Sequence, residues 1–308
     1  MFKFVVFQFC FLPLLIKCDS SINESSKSKT KQSEIAQSNI SKDSIIIPDH
    51  IYTWLSELEY KTRLINIPTS TYFTRLDVEE RSFASWLRYI PLKKSGEIVY
   101  LYDGQIKYDQ SGVYRVLDID IGKRDLQQCA DAVMRLRAEY LYASENYEEI
   151  QFNYTNGVTV RYDDWAKGRK PFFENNRIRF SSIGTQTDYS YKQFRKYLTN
   201  IFIYAGSSSL EKELTQVTSG TIFPGDVFIQ GGFPGHAIIV LDVAVSKDGS
   251  QQMLLAQSYM PAQSIHVLKN PNSIDGNPWF DVKKTGELRT PDWLFNFQSD
   301  HYRFSDRR

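Results

Sequence analysis

PGDVFIQGGFPGHAIIVLDV, residues 224–243, is the stretch whose reading decides the fold. Pro224-Gly225 marks a turn, Asp226 to Gln230 is a short apolar strand, and Gly231 to Gly235 is a loop. From His236 to Val245 runs a long apolar strand. A turn at Lys247-Asp248-Gly249-Ser250 sends the chain back through Met253 to Ser258, and Ser264 to Leu268 adds a further strand. Upstream the signals are mainly helical. Asp77 to Tyr89 carries Phe83, Trp86 and Leu87 at helical spacing, and Asp125 to Ala143 has Asp125 as N-cap with Gln128 three residues later. Tyr189 to Tyr204 and Ser209 to Val217 complete the helices. Ile98 to Tyr108 reads as a hairpin and Val113 to Ile121 as a strand. Helices followed by an antiparallel sheet predict an α+β domain.

Composition narrows the function. The 308 residues carry a formal net charge of +1, so no global field draws in nucleic acid, and no nucleic-acid partner is expected. Three cysteines, Cys10, Cys18 and Cys129, exclude a disulfide framework and a thiolate zinc site. The four histidines, His50, His236, His266 and His301, stand far apart with no paired metal-ligand spacing. No metal or other cofactor is expected.

The N-terminus reads as an export signal. FKFVVFQFCFLPLLI, residues 2–16, is an apolar run too short to span a bilayer, which takes about 20 helical residues. Cys18 follows that run and precedes a polar stretch, an arrangement similar to a bacterial lipoprotein signal, although Lys17 stands where a small residue is usual. Residues 1–18 are therefore expected to be a signal peptide, with Cys18 as the lipidation site and the lipid as the only membrane contact. Residues 19–44, rich in Ser, Lys, Asn, Gln and Glu, are expected to form a disordered tether, and residues 45–308 a single domain. This organisation predicts an exported protein of the bacterial cell envelope.

Within that domain Cys129 is the only cysteine, placed near the start of a helix, where free backbone N–H groups and the helix dipole favour a thiolate. His236 opens the long strand after a glycine-rich loop, so it can face a cleft. A lone cysteine with a distant histidine is the sequence form of a nucleophile–base pair. A third polar group should orient the imidazole. If Lys247–Ser250 closes the hairpin, Gln257 shares a sheet face with His236 but opposes Val240, about 13 Å along the strand, so contact needs a bulge or a slipped register. Asp242 lies on the same face about 20 Å away. Gln257 is thus the candidate orienting group.

These features together resemble the papain-like cysteine peptidases, closest to the NlpC/P60 and CHAP branches, which cleave peptidoglycan peptides or amides. The Gly-Asp-apolar strand and Gly-His-apolar strand of residues 224–243 carry the likeness. It implies a papain-like fold with the Cys helix packed on the C-terminal sheet, Cys129 as nucleophile, His236 as base and Gln257 as orienting group. Where such peptidases usually have Asp-Cys-Ser-Gly, this chain has Gln128-Cys129-Ala130-Asp131. From about Ser82 to Trp293 the chain also resembles a bacterial envelope family catalogued as domain of unknown function 4846, through SFASWLRYIPL, LDIDIGKRDLQQCADAVMRLRAEYLY, GDVFIQGGFPGHAIIV and LLAQSYMPAQSIHVLKNP.

The expected activity is hydrolysis of an amide bond by a Cys/His mechanism, with peptidoglycan or another peptide as substrate. The alternative is a non-catalytic envelope lipoprotein that binds a peptide, glycan or protein through the same cleft. In that case Cys129 would be a core residue among Val133, Leu136 and Tyr140. His266 is an alternative base. Arg135 and Arg137 are expected to pair with acids such as Asp118, Asp120 and Asp125. Trp86, Tyr259, Trp279 and Trp293 pack in the core by default, or line a groove.

Overall fold

His236–Ser246 is an eleven-residue strand whose first nine residues are buried, and the domain is assembled around it. The computed structural model describes residues 50–55 and 62–305. The signal segment, Cys18 and the tether lie outside the described residues. Nine strands form one antiparallel sheet. In chain order they are β1 (Phe73–Arg75), β2 (Val113–Val116), β3 (Thr215–Gln216), β4 (Val227–Gln230), β5 (His236–Ser246), β6 (Gln251–Gln257), β7 (His266–Leu268), β8 (Trp279–Asp281) and β9 (His301–Arg303). The order across the sheet is β2-β7-β6-β5-β4-β9-β3, with β1 added to β5 and β8 to β6. Five α-helices accompany it: α1 (Phe83–Arg88), α2 (Cys129–Ala143), α3 (Tyr162–Ala166), α4 (Tyr191–Tyr204) and α5 (Ser207–Glu213).

The α+β, papain-like expectation is therefore wrong: the described residues are mainly antiparallel β. Two causes can be read in particular residues. The sheet recruits strands of two or three residues, β1, β3 and β9, and such short runs leave no periodic signal. The stretch expected to be helix-dominated also contains two-stranded ribbons, 151–153 with 159–161 and 171–174 with 177–180. The second turns at Asn175 and Asn176, whose φ values of 49° and 59° are those of the tight hairpin turn that asparagine tolerates. Helix starts also differ. Arg81 has φ 61°, which is not helical, and Ser82 caps α1 by accepting from the Ser85 amide, so α1 begins at Phe83 rather than Asp77.

β5 separates two hydrophobic clusters. Ala237, Ile239, Leu241 and Ala244 join one that includes Trp86, Val133, Leu136 and Leu198 of α1, α2 and α4. Ile238, Val240 and Val243 join the other, with Phe280, Leu288, Phe295 and Phe297. The alternation changes phase at Leu241. There β5 carries an extra residue: Leu254 pairs with Asp242 but Leu255 pairs with Val240. That β-bulge lets both clusters stay apolar on either side of the kink. Asp242 itself is buried and ion-paired to Arg75 and Arg88, so it is an interior bridge between β5, β1 and α1.

Candidate active site

Cys129 is the first residue of α2, with Gln128 as N-cap. Asp125, expected to be the cap, lies outside the helix; its Oδ1 accepts from the Ala262 amide at 2.7 Å and from Gln128 Nε2 at 3.0 Å. The cap is closed instead by Asp131, whose Oδ2 accepts from the Gln128 amide at 3.1 Å. The later start puts the thiol closer to the free N–H end of the helix than its sequence pattern implied. Cys129 is partly exposed.

Two sets of bonds fix the turn that bears it. Arg135, fully buried, donates to Gln127 Oε1 at 2.8 Å, to Asp120 Oδ1 at 3.0 Å and to Glu139 Oε1 at 2.6 Å. Arg135 thus pairs with Asp120 as expected, but Asp120 lies beyond the end of β2 rather than in a strand, and Arg195 holds its other oxygen at 3.0 Å. From the sheet side, Ser258 Oγ lies 2.9 Å from the carbonyls of Gln127 and of Gln263. The end of β6 is thereby tied to the residue two before the cysteine.

His236 and Gln257 meet directly: His236 Nε2 is 2.9 Å from Gln257 Oε1, and both side chains are 1% exposed. Two departures from the simple register bring them together. The turn residues between the paired Ser246 and Ser250 are three rather than four, with Gly249 at φ 84°, so Gln251 pairs with Val245 instead of Ser246. The bulge at Leu241 then shifts the pairing once more, so that Ala256 faces Ile239. Continued by one step, that register sets Gln257 beside Ile238, a diagonal neighbour of His236.

Around this pair lie residues that the sequence did not single out, or did so only in passing. Gln257 Nε2 donates to Asp292 Oδ2 at 2.6 Å, and Lys107 Nζ stands 3.9 Å from the other Asp292 oxygen. Asp292 carries no periodic signature because it sits in a turn between the paired Arg289 and Leu294. The rings of Tyr259, Trp293 and Phe295 pack on the imidazole at 4.9, 5.3 and 5.8 Å. Of the four candidate groove aromatics, Tyr259 and Trp293 flank the site and are partly exposed, whereas Trp86 and Trp279 are core. His266 pairs with Gln257 across β6 and β7, which puts a second buried imidazole beside the first.

Cys129 adjoins this cluster through the backbone. The Ala237 amide, the residue after His236, acts on the thiol by lowering its pKa. Burial pushes the thiol above its ordinary pKa, the Ala237 amide opposes that rise, and Asp131 adds to it. Burial lowers the His236 pKa to about 4, against smaller upward effects of the Gln257 bond and Asp292. The resting pair at neutral pH is thus a neutral thiol and a neutral imidazole, not the preformed ion pair that the helix position suggested.

Five cavities of about 140 to 450 Å³ open elsewhere, three of them sharing Arg137, and none is lined by Cys129, His236 or Gln257. Among the described residues no group of three or more His, Cys, Asp or Glu is placed to hold a metal ion, and no helix is long and apolar enough to cross a membrane.

A partly exposed cysteine at a helix start and a buried histidine bonded to an amide side chain are the candidate groups of this β-rich domain. The model of the family described as Domain of unknown function (4846) matches residues 63–302, and the chain belongs to that family. No curated protein and no solved structure gives a significant match to the chain.

Proposed function

We propose that this protein is a cysteine hydrolase of amide bonds, with Cys129 as nucleophile, His236 as base and Gln257 as the group that orients the base. The observation that supports it is the buried His236–Gln257 bond beside a thiol that remains partly exposed.

With both partners neutral, proton transfer accompanies attack. As the Cys129 sulfur bonds to the amide carbonyl carbon, the thiol proton passes to the imidazole and the carbonyl electrons move to oxygen. The N–H groups at the start of α2 face that developing negative charge. When the tetrahedral adduct collapses, the imidazolium returns its proton to the departing nitrogen, releasing an amine and leaving a thioester on Cys129. Water then gives a proton to His236 as it attacks the thioester, and the carboxylic acid and free thiol are restored. The substrate we favour is a peptide of the cell wall, which follows from the export signal and tether read in the sequence.

Incubation of the purified chain with peptidoglycan stem peptides, followed by mass spectrometry, tests the reading. It predicts a mass gain of one water per cut, absent in Cys129→Ser and in His236→Ala. Absence of any cut, with Cys129 alkylated only after unfolding, would favour the binding-protein alternative.

A further inference from the structure

We infer that Asp292 is a positioning residue that sets the protonation tautomer of His236 through Gln257. This deepens the proposed cysteine chemistry, since the nitrogen at issue is the base, but it can be read out with no substrate.

The argument is one of donors and acceptors. A carboxylate oxygen only accepts hydrogen bonds. Asp292 Oδ2 lies 2.6 Å from Gln257 Nε2, so the amide must turn its NH₂ toward Asp292. Its carbonyl oxygen is then committed to His236, 2.9 Å away. A carbonyl oxygen likewise only accepts, so His236 Nε2 must carry the ring proton, and Nδ1 is left with the lone pair that can take a proton from a thiol. Without Asp292 the Gln257 amide could flip and donate to Nε2, forcing the proton onto Nδ1 and removing the base.

The hairpin that carries Asp292 is held for such a role. Thr290 and Trp293 close its turn, the Thr290 amide donating to the Trp293 carbonyl at 2.9 Å. Trp293 Nε1 donates to Gln230 Oε1 at 2.9 Å, and Gln230 pairs with His236 across β4 and β5. Pro291 packs so closely on Gly112 that a Cβ there would lie 2.5 Å from the Pro291 Cβ. Lys107 Nζ stands 3.9 Å from Asp292 Oδ1, on the side away from Gln257. His266 supplies an internal contrast. Its Nδ1 is 3.0 Å from the Ser264 carbonyl, so it must carry the opposite tautomer, with Nε2 unprotonated.

The test is long-range proton–nitrogen NMR of the full chain labelled with ¹⁵N-histidine, His236 and His266 being assigned from His236→Gln and His266→Gln. At neutral pH the wild type should show His236 protonated on Nε2 and His266 on Nδ1. In Asp292→Asn, which can donate as well as accept, the Nδ1-protonated form of His236 should become populated while His266 stays unchanged. The rate of Cys129 alkylation by iodoacetamide at pH 7 should fall by roughly 10²-fold, the lower end of what a positioned base contributes. Asp292→Glu should restore both signals. A His236 that keeps its proton on Nε2 in Asp292→Asn, or carries it on Nδ1 in the wild type, overturns the assignment. Failure of peptide cleavage alongside the tautomer change would remove the hydrolase reading and leave the role of Asp292 standing.

Discussion

His236 and His266 sit on either side of Gln257, on β5 and β7, both 1% exposed and both lowered by burial to about 4. By titration they are twins. They differ in what each ring nitrogen touches. His236 bonds a side chain that is itself anchored to Asp292, and the backbone amide next to it lowers the Cys129 pKa against the effect of burial. His266 bonds a backbone carbonyl in its own segment and leaves Nε2 with no hydrogen-bond partner. A perturbed imidazole therefore does not by itself identify a base; the identity of its partners does.

The largest test of that contrast is activity. His236→Ala should lower the rate of amide cleavage by at least ~10³-fold, whereas His266→Leu should leave it within a few fold. If His266→Leu abolished cleavage and His236→Ala did not, the roles would have to be exchanged. Assays with peptide fragments and mass-spectrometric readout decide it.

In stability the two should behave alike. Each is neutral when folded and has an unfolded pKa near 6.5, so between about pH 6.5 and 4 the unfolded chain binds more protons than the folded one. Stability should then fall as pH drops through that window and level off below it, by about 3 kcal/mol for each histidine. The groups facing them, Asp292, Lys107, Cys129 and Tyr259, modify the slope without reversing it. Urea midpoints measured from pH 7 to 4 should lose about half of this histidine-linked slope in His266→Leu. An unchanged slope would mean that His266 is not buried in its neutral form.

The smallest effect expected is that of Gln257→Leu, which removes the shared neighbour. It should reduce cleavage roughly 10–100-fold, the size seen when the outer partner of a working imidazole is lost. The ring proton of His266 should stay on Nδ1. Movement of both tautomers together would show that the two histidines are coupled through more than Gln257.

How far the sequence reached depends on the kind of signal. The meeting of His236 and Gln257 was legible in part because a histidine at a strand start and strand parity are local patterns. The same parity argument placed Gln257 opposite Val240, since nothing in the sequence announces that Gly249 closes a three-residue turn or that Leu241 is the extra residue of a bulge. Asp292 was invisible for a related reason. It belongs to a turn, and turns carry no periodicity to tie them to a distant strand. The fold class was misread on another ground. Strands as short as β3 and β9 owe their conformation to neighbours in the sheet, so a pattern search along the chain misses them. The family is shown by the match over residues 63–302, whereas the activity rests on the site alone.

The central claim is that His236 works on Cys129, and the pH profile of Cys129 alkylation by iodoacetamide tests it most directly. Because the imidazole is lowered to about 4 and the thiol raised, the folded wild type should alkylate with a rate that rises near pH 4, holds a plateau through neutral pH and rises again as the thiol ionises. His236→Gln should lose the plateau and keep only the high-pH rise. Identical profiles for the two proteins, or labelling of Cys129 only after unfolding, would contradict the account.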